Sequence, residues 1–366
     1  SAEVREAMAL CVSCKGCRRD CPTGVDMAKL KIEHLQHDKA RHGHTLKDRL
    51  IGQLPNYARW AARFAPVLNL RDQWPLLARL SEQLLGFSAR RRLPQWQRTH
   101  FFNTKLGTAS RAEVLAAERP VVLFVDTFNG YFESDNAHAA VQVLQAAGYT
   151  VHLASKQQQD GQHLCCGRTF LSVGMVEQAR AKARELVDSL LPFARQGIAI
   201  VGLEPSCLLT LRDELLVMGL GESAQIVSAQ ALLLEEFLAR EAKAGQLDTL
   251  QSKLRAFDQT VLLHGHCHQK AFDALKPVIE VLRLIPGVQP QLIESSCCGM
   301  AGSFGYEAQH YEVSMQMAES ALLPTVRAHA GAIVVADGTS CRHQILHGTQ
   351  QEPLHVALLL ARQLTG

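Results

Sequence analysis

Four closely spaced cysteines near the start of the chain are the residues whose chemistry the sequence specifies best. They follow the pattern Cys11-x2-Cys14-x2-Cys17-x3-Cys21-Pro22. Three cysteines at intervals of three residues can surround one face of an iron–sulfur cluster, and in two-cluster ferredoxins the fourth cysteine ligates the other cluster. Four-cysteine zinc sites usually split into two separated pairs instead. The spacing therefore predicts that these four cysteines are ligands of [4Fe–4S] clusters.

The motif is present in one copy, although its spacing serves two clusters. One copy supplies three ligands to one cluster and one ligand to another, and the sequence contains no second copy. The motif also begins ten residues after a first residue that is not methionine. We therefore expect the chain to be a C-terminal portion of a longer polypeptide, with the complementary motif upstream or on a partner subunit. Without either, Cys21 completes the one cluster or stays free.

Seven further cysteines, of eleven in total, are dispersed through the rest of the chain. Adjacent cysteines are poor disulfide partners for each other, and an odd total argues against a closed disulfide framework. In a reducing compartment, grouped thiols indicate metal ligands. The candidate metal ligands are Cys165, Cys166, Cys207, Cys267, Cys297, Cys298 and Cys341.

The dispersed cysteines occur in two similar runs of alternating strands and helices. We predict strands at 121–125, 151–153, 198–201, 261–263, 291–293 and 333–335, and helices at 134–147, 172–190, 273–284 and 308–328. Such alternation favours parallel sheets with helices on both faces. The cysteines follow the carboxyl ends of these strands, where open α/β sheets place their ligand sites. The fold class is therefore α/β with two repeated βαβ modules.

The predicted organisation has four parts. Residues 1–45 form a small ferredoxin-like [4Fe–4S] segment, 46–118 a helical linker, 119–245 module 1 and 246–366 module 2. In the first part, a helix is predicted to run from Asp26, its N-cap, to about Gly43. Apolar side chains recur in the linker at helical spacing, which predicts packing in a core or between domains. They are Leu50, Leu54, Trp60, Phe64, Trp74, Leu77, Leu80 and Leu84. The run 90–92 of three arginines is typical of an exposed basic turn, with docking to an acidic surface or anionic lipid as the alternative.

Two tripeptides carry a resemblance to a known family. Cys165-Cys166-Gly167 and Cys297-Cys298-Gly299, each with a distal cysteine, resemble the cysteine-rich CCG domain. That domain occurs in the heterodisulfide reductase B subunit and in iron–sulfur subunits of glycolate oxidase, lactate-utilisation proteins and anaerobic glycerol-3-phosphate dehydrogenase. The run 11–27 is similar to the C-terminal half of fused bacterial D-2-hydroxyacid dehydrogenases of the D-lactate or D-2-hydroxyglutarate type. The resemblance covers 1–45 and 119–366.

The resemblance also implies which ligands each module has kept. A full CCG module offers a cysteine after the first strand, the Cys-Cys pair and a terminal Cys-x-x-Cys. Thr127 and Glu204 stand at two of these places in module 1, and Gly338 at one in module 2. Module 2 thus keeps four thiols, for which a [4Fe–4S] cluster is favoured. Zinc is the alternative, held by the cysteines alone or with a histidine from 264, 266 or 268.

Module 1 keeps only three cysteines, and several outcomes remain open for it. One alternative is that the three cysteines no longer bind metal, and a second is that they bind a cluster of their own. A third is that they share a cluster with module 2 across the interface between the modules. The fourth is that they are buried structural thiols. Gly167 and Gly299 are expected to allow close backbone approach or a positive φ beside the thiols.

The function that the resemblance implies is electron transfer within an oxidoreductase that acts on CH–OH donors. FAD in the upstream part or on a partner subunit would oxidise a D-2-hydroxyacid, and this chain would pass the electrons to a quinone or another carrier. One alternative is a heterodisulfide-reductase-like site acting on disulfides, and another is a zinc-stabilised docking module. The sequence identifies no catalytic residue and no FAD-binding motif in this chain.

Composition sets limits on the partners and the compartment. The formal net charge of +3 is too small to indicate nucleic-acid binding, and basic residues do not alternate with aromatic ones. No uninterrupted apolar run is long enough to span a bilayer, and the first residues lack a signal-peptide pattern. We expect a cytoplasmic protein with at most peripheral association at the inner face of the membrane.

Overall fold

The N-terminal segment is helical and is capped as its sequence predicts. The computed structural model describes residues 2–104, 106–155 and 163–365. Helices α1 (Ala2–Leu10), α2 (Gly16–Asp20) and α3 (Met27–His42) come first. The Asp26 carboxylate accepts hydrogen bonds from the backbone N–H groups of Ala28 and Lys29, at 3.0 and 3.2 Å, which satisfies the first turn of α3. Gly43 ends this helix with a φ of 78°.

The linker consists of short helices, as expected, but much of its apolar surface is not in a core. Its helices are α4 (Leu46–Gly52), α5 (Leu54–Arg63), α6 (Ala65–Leu68), α7 (Pro75–Leu85) and α8 (Arg111–Ala116), with 3-10 turns at Asn69–Asp72 and Phe101–Asn103. Alanines make the buried contacts of α5 and α7. The expectation of core packing is wrong for five side chains, which are exposed: Trp60, Phe64, Trp74, Leu80 and Leu84.

Module 1 contains a four-stranded parallel sheet with the strand order β2-β1-β3-β4. Its strands are β1 (Pro120–Phe124), β2 (Thr150–Leu153), β3 (Ile200–Gly202) and β4 (Ala231–Leu233). Its helices are α9 (Thr127–Tyr131), α10 (Ser134–Ala146), α11 (Arg168–Leu171), α12 (Val176–Ala194), α13 (Pro205–Leu211), α14 (Gly221–Gln230) and α15 (Leu234–Lys243). The three predicted strands are confirmed, while β4 and the helices on either side of it were not predicted.

Module 2 repeats the arrangement with three parallel strands in the order β6-β5-β7. After α16 (Asp248–Gln251), its strands are β5 (Val261–Leu263), β6 (Gln291–Leu292) and β7 (Ile333–Val335). Its helices are α17 (Cys267–Ala271), α18 (Leu275–Leu282), α19 (Tyr311–Glu319), α20 (Leu322–Ala328), α21 (Thr339–Thr349) and α22 (Val356–Gln363). The predicted helix at 308–328 is two helices, because the backbone at Ala321 leaves the helical region (φ −157°).

One apolar core joins the two sheets. Val121 and Leu123 of β1, Leu263 of β5 and Leu359 of α22 belong to the same buried cluster, and each is at most 1 % exposed. Helix α22 of module 2 packs against α10 of module 1. The two modules are therefore held together by burial of apolar surface, which is the dominant favourable contribution to folding.

Buried polar contacts also cross the interface between the modules. The Arg342 guanidinium of module 2 donates to the Glu133 carboxylate of module 1, at 2.6 and 3.0 Å. The Thr339 hydroxyl donates to the same carboxylate at 2.7 Å. Burial opposes ionisation of Glu133, but the charge and hydrogen bonds of Arg342 outweigh it and lower the pKa of Glu133 to about 2.

Arg91, the middle residue of the arginine run in the linker, is buried rather than part of an exposed turn. Its guanidinium donates to the side chain of Gln344 and lies 3.3 Å from the sulfur of Met300, both in module 2. The linker therefore uses this arginine to attach to module 2. None of the helices in the described ranges is both long and apolar enough to cross a membrane.

The Glu133–Arg342 pair predicts how stability depends on pH. Because the folded-state pKa of Glu133 is depressed, its contribution is present above the unfolded pKa, near 4.3, and is lost as the pH falls towards 2. We expect Glu133→Gln to lower the free energy of unfolding by about 3 kcal/mol at pH 7, with the difference from wild type shrinking below about pH 4. Urea unfolding of both proteins at several pH values measures this. A difference that is constant with pH would contradict the assignment.

Candidate metal centres

The four cysteines of module 2 meet at the carboxyl edge of its sheet. Cys267 begins α17 after β5, Cys297 and Cys298 follow β6, and Cys341 lies in the first turn of α21 after β7. A chain of thiol hydrogen bonds runs from Cys267 through Cys297 and Cys298 to Cys341. The hydrogen bond with Cys297 and burial raise the pKa of Cys267. For Cys298, the hydrogen bond with Cys297 lowers the pKa, but the hydrogen bond with Cys341 and burial outweigh it and raise the pKa. Metal binding must therefore displace protons from these thiols.

His264 is the histidine that faces this thiol chain. One of its imidazole nitrogens and the sulfurs of Cys298 and Cys341 lie within 4.8 Å of one another. Its Nδ1 lies 3.0 Å from the Ser295 hydroxyl, whereas its buried Nε2 has no hydrogen-bond partner among the described residues. Burial lowers the pKa of His264 to about 3, so the ring is neutral. A neutral imidazole next to thiols can ligate a metal ion or donate a hydrogen bond to a metal-bound sulfur. The three donors therefore fit a bound metal group.

The two neighbouring histidines are used for other contacts. His266 caps α17, and its Nδ1 accepts the backbone N–H of His268 at 3.1 Å. The Nε2 of His268 lies 3.1 Å from the carbonyl oxygen of Ser13 in the N-terminal loop. Of the three predicted candidates, His264 alone lies with Cys298 and Cys341 in this compact group.

The glycine after each Cys-Cys pair has the conformation that the sequence predicts. Gly167 and Gly299 have φ values of 85° and 82°, and their backbone N–H groups donate to the sulfurs of Cys165 and Cys297, at 3.3 and 3.4 Å. A Cβ at Gly299 would lie 2.3 Å from the carbonyl oxygen of Ser314. Both the left-handed φ and the close contact therefore require glycine.

The N-terminal cysteine loop lies directly against module 2. Cys14 interacts electrostatically with Cys11, Cys17 and Cys267, and α2 packs on α17. The thiol of Cys21 instead contacts the Thr23 hydroxyl at 3.1 Å, which lowers its pKa. The structure thus places the motif loop against the helix that begins at Cys267, an arrangement that the spacing of the motif does not reveal.

Lys15, between two of the motif cysteines, holds this loop in place. It adopts a left-handed conformation (φ 62°), and its side chain is 1 % exposed. Its ammonium group pairs with Asp213 and lies 2.7 Å from the Glu214 carboxylate of module 1. Arg168 pairs with the same glutamate at 2.6 Å. These partners are about 200 residues from Lys15 along the chain, and no local sequence signal indicates the pairing.

Module 1 has a shorter chain of thiols, from Cys165 through Cys166 to Cys207. Among the described residues, these thiols do not form a compact group of three metal donors, unlike the donors of module 2. Thr127, at a position where the resemblance implies a cysteine, is buried at the start of α9. The preceding Asp126 caps that helix by accepting the backbone N–H of Phe128 at 2.8 Å.

Glu204, at the other substituted position, bonds across the interface. Its carboxylate accepts the hydroxyl of Ser206 at 2.8 Å and the backbone N–H of Thr339, in the first turn of α21, at 2.8 Å. Burial and the nearby charge of Asp126 raise the pKa of Glu204 to about 7. In module 2, a side chain at Gly338 would meet the ring of His266 at 2.4 Å. Of the positions where the resemblance implies a cysteine, Glu204 thus makes a contact across the interface, and Gly338 leaves space for the His266 ring.

A second buried polar group lies deeper in the interface, where sequence reasoning did not place one. Glu235, Asp337 and His355 are fully buried and have donor atoms within 4.8 Å of one another. Asp337 accepts the side-chain amide of Gln269 at 2.9 Å and the backbone N–H of Val356 at 3.1 Å. Burial and the neighbouring Asp337 raise the pKa of Glu235, and its two carboxylate oxygens are buried without a hydrogen-bond partner among the described residues. The Nε2 of His355 lies 3.2 Å from the carbonyl oxygen of Leu203 in module 1, so His355 links the two modules.

The fold and the thiol groups define a protein built around two cysteine-rich α/β domains. The family model described as "Cysteine-rich domain" (CCG) matches residues 127–212 and 261–346, one copy in each module. The expected resemblance to CCG domains is therefore confirmed in both modules.

Named relatives extend the similarity beyond these domains. The chain is 27 % identical to D-2-hydroxyglutarate dehydrogenase of Escherichia coli (strain K12) over 353 residues, which cover 94 % of this chain and 33 % of that protein. It is also 27 % identical to a subunit of the anaerobic glycerol-3-phosphate dehydrogenase of the same organism, over 302 residues that cover 82 % of this chain and 73 % of that protein. The chain thus spans about a third of the length of the D-2-hydroxyglutarate dehydrogenase it matches.

The buried ion pairs of Lys15 predict that its side chain fixes the N-terminal cysteine loop against module 1. We expect Lys15→Met to lower the free energy of unfolding by about 2 kcal/mol or more, because it leaves Asp213 and Glu214 buried with fewer cations. Urea unfolding and limited proteolysis of residues 1–26 measure the effect. The matched control is Arg19→Met, since Arg19 pairs with Asp20 in solvent. Equal effects of the two substitutions would show that Lys15 does not fix the loop.

Gly299 provides a second test, with a matched glycine nearby. Gly302 also has a positive φ (63°), but a Cβ there would meet nothing within 4 Å. We expect Gly302→Ala to cost about 1 kcal/mol of stability, from backbone strain alone. Gly299→Ala should cost at least about 3 kcal/mol, because it adds the clash with Ser314. Similar losses in denaturant unfolding would show that the close contact does not matter.

Proposed function

We propose that this chain is the iron–sulfur electron-transfer portion of an FAD-linked dehydrogenase of D-2-hydroxyacids, in the D-lactate, D-2-hydroxyglutarate or glycolate class. The observation that carries the proposal is the packing of the N-terminal cysteine loop on α17 of module 2, where the carbonyl oxygen of Ser13 lies 3.1 Å from the Nε2 of His268. Cys14 of this loop interacts electrostatically with Cys267, the first residue of α17. Two thiol groups suited to metal clusters, separated by about 250 residues of sequence, thereby face one another in the fold. Iron–sulfur clusters bound by these thiolates would take up and release single electrons.

The proposed ligands divide into two sets. Cys11, Cys14 and Cys17 would hold one [4Fe–4S] cluster as a ferredoxin-like segment, with Cys21 available to a second cluster supplied from outside this chain. The four thiols of module 2 would hold another cluster. The electrons would come from FAD bound by an upstream domain or a partner subunit and leave to a quinone or another carrier. The relatives named as dehydrogenases support this assignment as an oxidoreductase.

The surrounding side chains supply positive charge where thiolates would add negative charge. Lys270 interacts electrostatically with the four thiols of module 2, and its ammonium group donates to the carbonyl oxygens of Ser295 and Ser296. Arg168 interacts with Cys166 and Cys207 of module 1 and with Cys267. Such cations favour the deprotonated thiols that metal binding requires. Burial of the thiols keeps water away, and both features tune a cluster's reduction potential.

Zinc remains a second candidate because of one observation in module 2. A histidine nitrogen and two cysteine sulfurs within 4.8 Å form a compact donor set of the type that structural zinc sites use. With zinc there, module 2 would be a docking platform and electrons would not leave through it. Metal analysis separates the two candidates.

The decisive measurement is the content of iron, zinc and acid-labile sulfide per chain in anaerobically purified protein, with EPR of the dithionite-reduced sample. We expect about eight irons with matching sulfide, from two [4Fe–4S] clusters. Cys298→Ser should remove about half of the iron and one EPR signal, and Cys14→Ser the other half. About four irons with one zinc would support the zinc-stabilised module and exclude an electron path through module 2.

Cys166→Ser is the matched control, because Cys166 is the module 1 counterpart of Cys298 and is similarly buried. We expect its iron content to equal that of wild type. Loss of the same iron from Cys166→Ser as from Cys298→Ser would contradict the assignment of the second cluster to module 2 alone.

A further inference from the structure

The linker carries a large apolar surface that the proposed electron transfer does not explain. We call it the apolar face; it consists of the exposed side chains of Trp60, Phe64, Val67, Leu68, Trp74, Leu76, Leu80 and Leu84. Three of them, Trp60, Leu76 and Leu84, are 65, 77 and 70 % exposed. Large exposed apolar patches mark surfaces that bind a protein or a membrane.

The face is continuous along consecutive helices. Helix α5 contacts α6, and the 3-10 turn at Asn69–Asp72 contacts both α6 and α7. In α7, leucines at intervals of four residues lie in solvent, while Ala78 is the buried residue. A helix that packed only within this chain would have the opposite pattern, with large apolar residues inside. These helices are therefore amphipathic with the apolar side outwards.

The exposed charged side chains of the helices that carry the face all have one sign. These residues are Arg59, Arg63 and Arg79, and none of them forms an ion pair with any described residue. Both acidic residues of 53–84 are engaged within the chain. Asp72 pairs with Arg71 and accepts the backbone N–H of Leu93, and the carboxylate of Glu82 accepts the backbone N–H of Ala89.

We propose that the apolar face is a membrane-binding surface that lies in the headgroup region of an anionic lipid bilayer. Tryptophan, phenylalanine and leucine beside arginines, on helices too short to span a membrane, are the composition of helices that lie in the interfacial plane. The unpaired arginines complement anionic headgroups, each contributing attraction near the surface. This charge complementarity favours lipid over a second copy of the chain, whose own face would present the same positive charges. The inference does not depend on which metal the cysteines hold.

Co-sedimentation of the full chain with vesicles tests the proposal. We expect binding to vesicles of phosphatidylethanolamine with phosphatidylglycerol, weaker binding to phosphatidylcholine alone, and loss of the difference at high salt. Neutralising Arg59, Arg63 or Arg79 with glutamine should weaken binding to the anionic vesicles about fivefold each. The triple variant Leu76→Gln, Leu80→Gln, Leu84→Gln should lower it at least about tenfold, with iron content and circular dichroism unchanged.

The matched control is Val217→Gln, which changes an apolar side chain that is 65 % exposed outside the face. It should bind vesicles like wild type. The emission of Trp60 and Trp74 gives a second readout that needs no variant, since it should shift to the blue when anionic vesicles are added to wild type. Absence of both sedimentation and a spectral shift would overturn the proposal. Self-association in ultracentrifugation that the triple leucine variant abolishes, without vesicle binding, would show that a second copy covers the face.

Discussion

Burial of a single apolar core beneath both parallel sheets is the constraint on which the rest of this structure depends. Residues of β1, β5 and α22 share that core, so the two sheets cannot be positioned independently. Because parallel strands end at one edge, each sheet presents its cysteine loops together. The shared core then brings the edge of module 1 towards that of module 2, and helix α13 of module 1 packs on α17 of module 2. The proximity of the thiol groups is a consequence of apolar packing.

Charge balance follows from this geometry. Several thiols at one interface would accumulate negative charge on binding metal, and a buried charge is costly unless it is compensated. Lys15, Arg168, Lys270 and Arg342 are all within or beside the interface, and each has a carboxylate or thiol partner. The same residues hold the N-terminal loop and the two modules together. Positive charge beside the thiols and contacts across the interface are therefore provided by one set of side chains.

The two modules have diverged in how they use equivalent positions. In module 2 the position after the first strand is Cys267, whereas in module 1 it is Thr127 in a buried helix start. Glu204 caps the helix that carries Cys341 of the other module. Module 1 thus contributes a hydrogen bond to the helix that carries one of the module 2 cysteines. The linker differs from both modules, since its alanines pack inwards and its large apolar residues remain in solvent.

The sequence alone determined the features that depend on local spacing and period. Alternating strands and helices predicted both parallel sheets, Asp26 and Gly43 predicted the ends of α3, and the Cys-Cys-Gly tripeptides predicted glycines of positive φ. These features follow from hydrogen bonds and sterics within a few residues. The ferredoxin-like role of the N-terminal cysteines is still a prediction.

Only the tertiary structure decided the contacts between residues distant in the chain. The loop of Cys14 packs on α17, Lys15 pairs with Asp213, and Glu204 caps α21, because the shared core brings together segments that no periodicity relates. The same reason explains the incorrect expectation for the linker. Helical spacing of Trp60, Leu80 and Leu84 defines an apolar side of a helix, but which side faces the protein depends on what packs against it. In this chain the alanines face inwards, so the large apolar side chains lie in solvent.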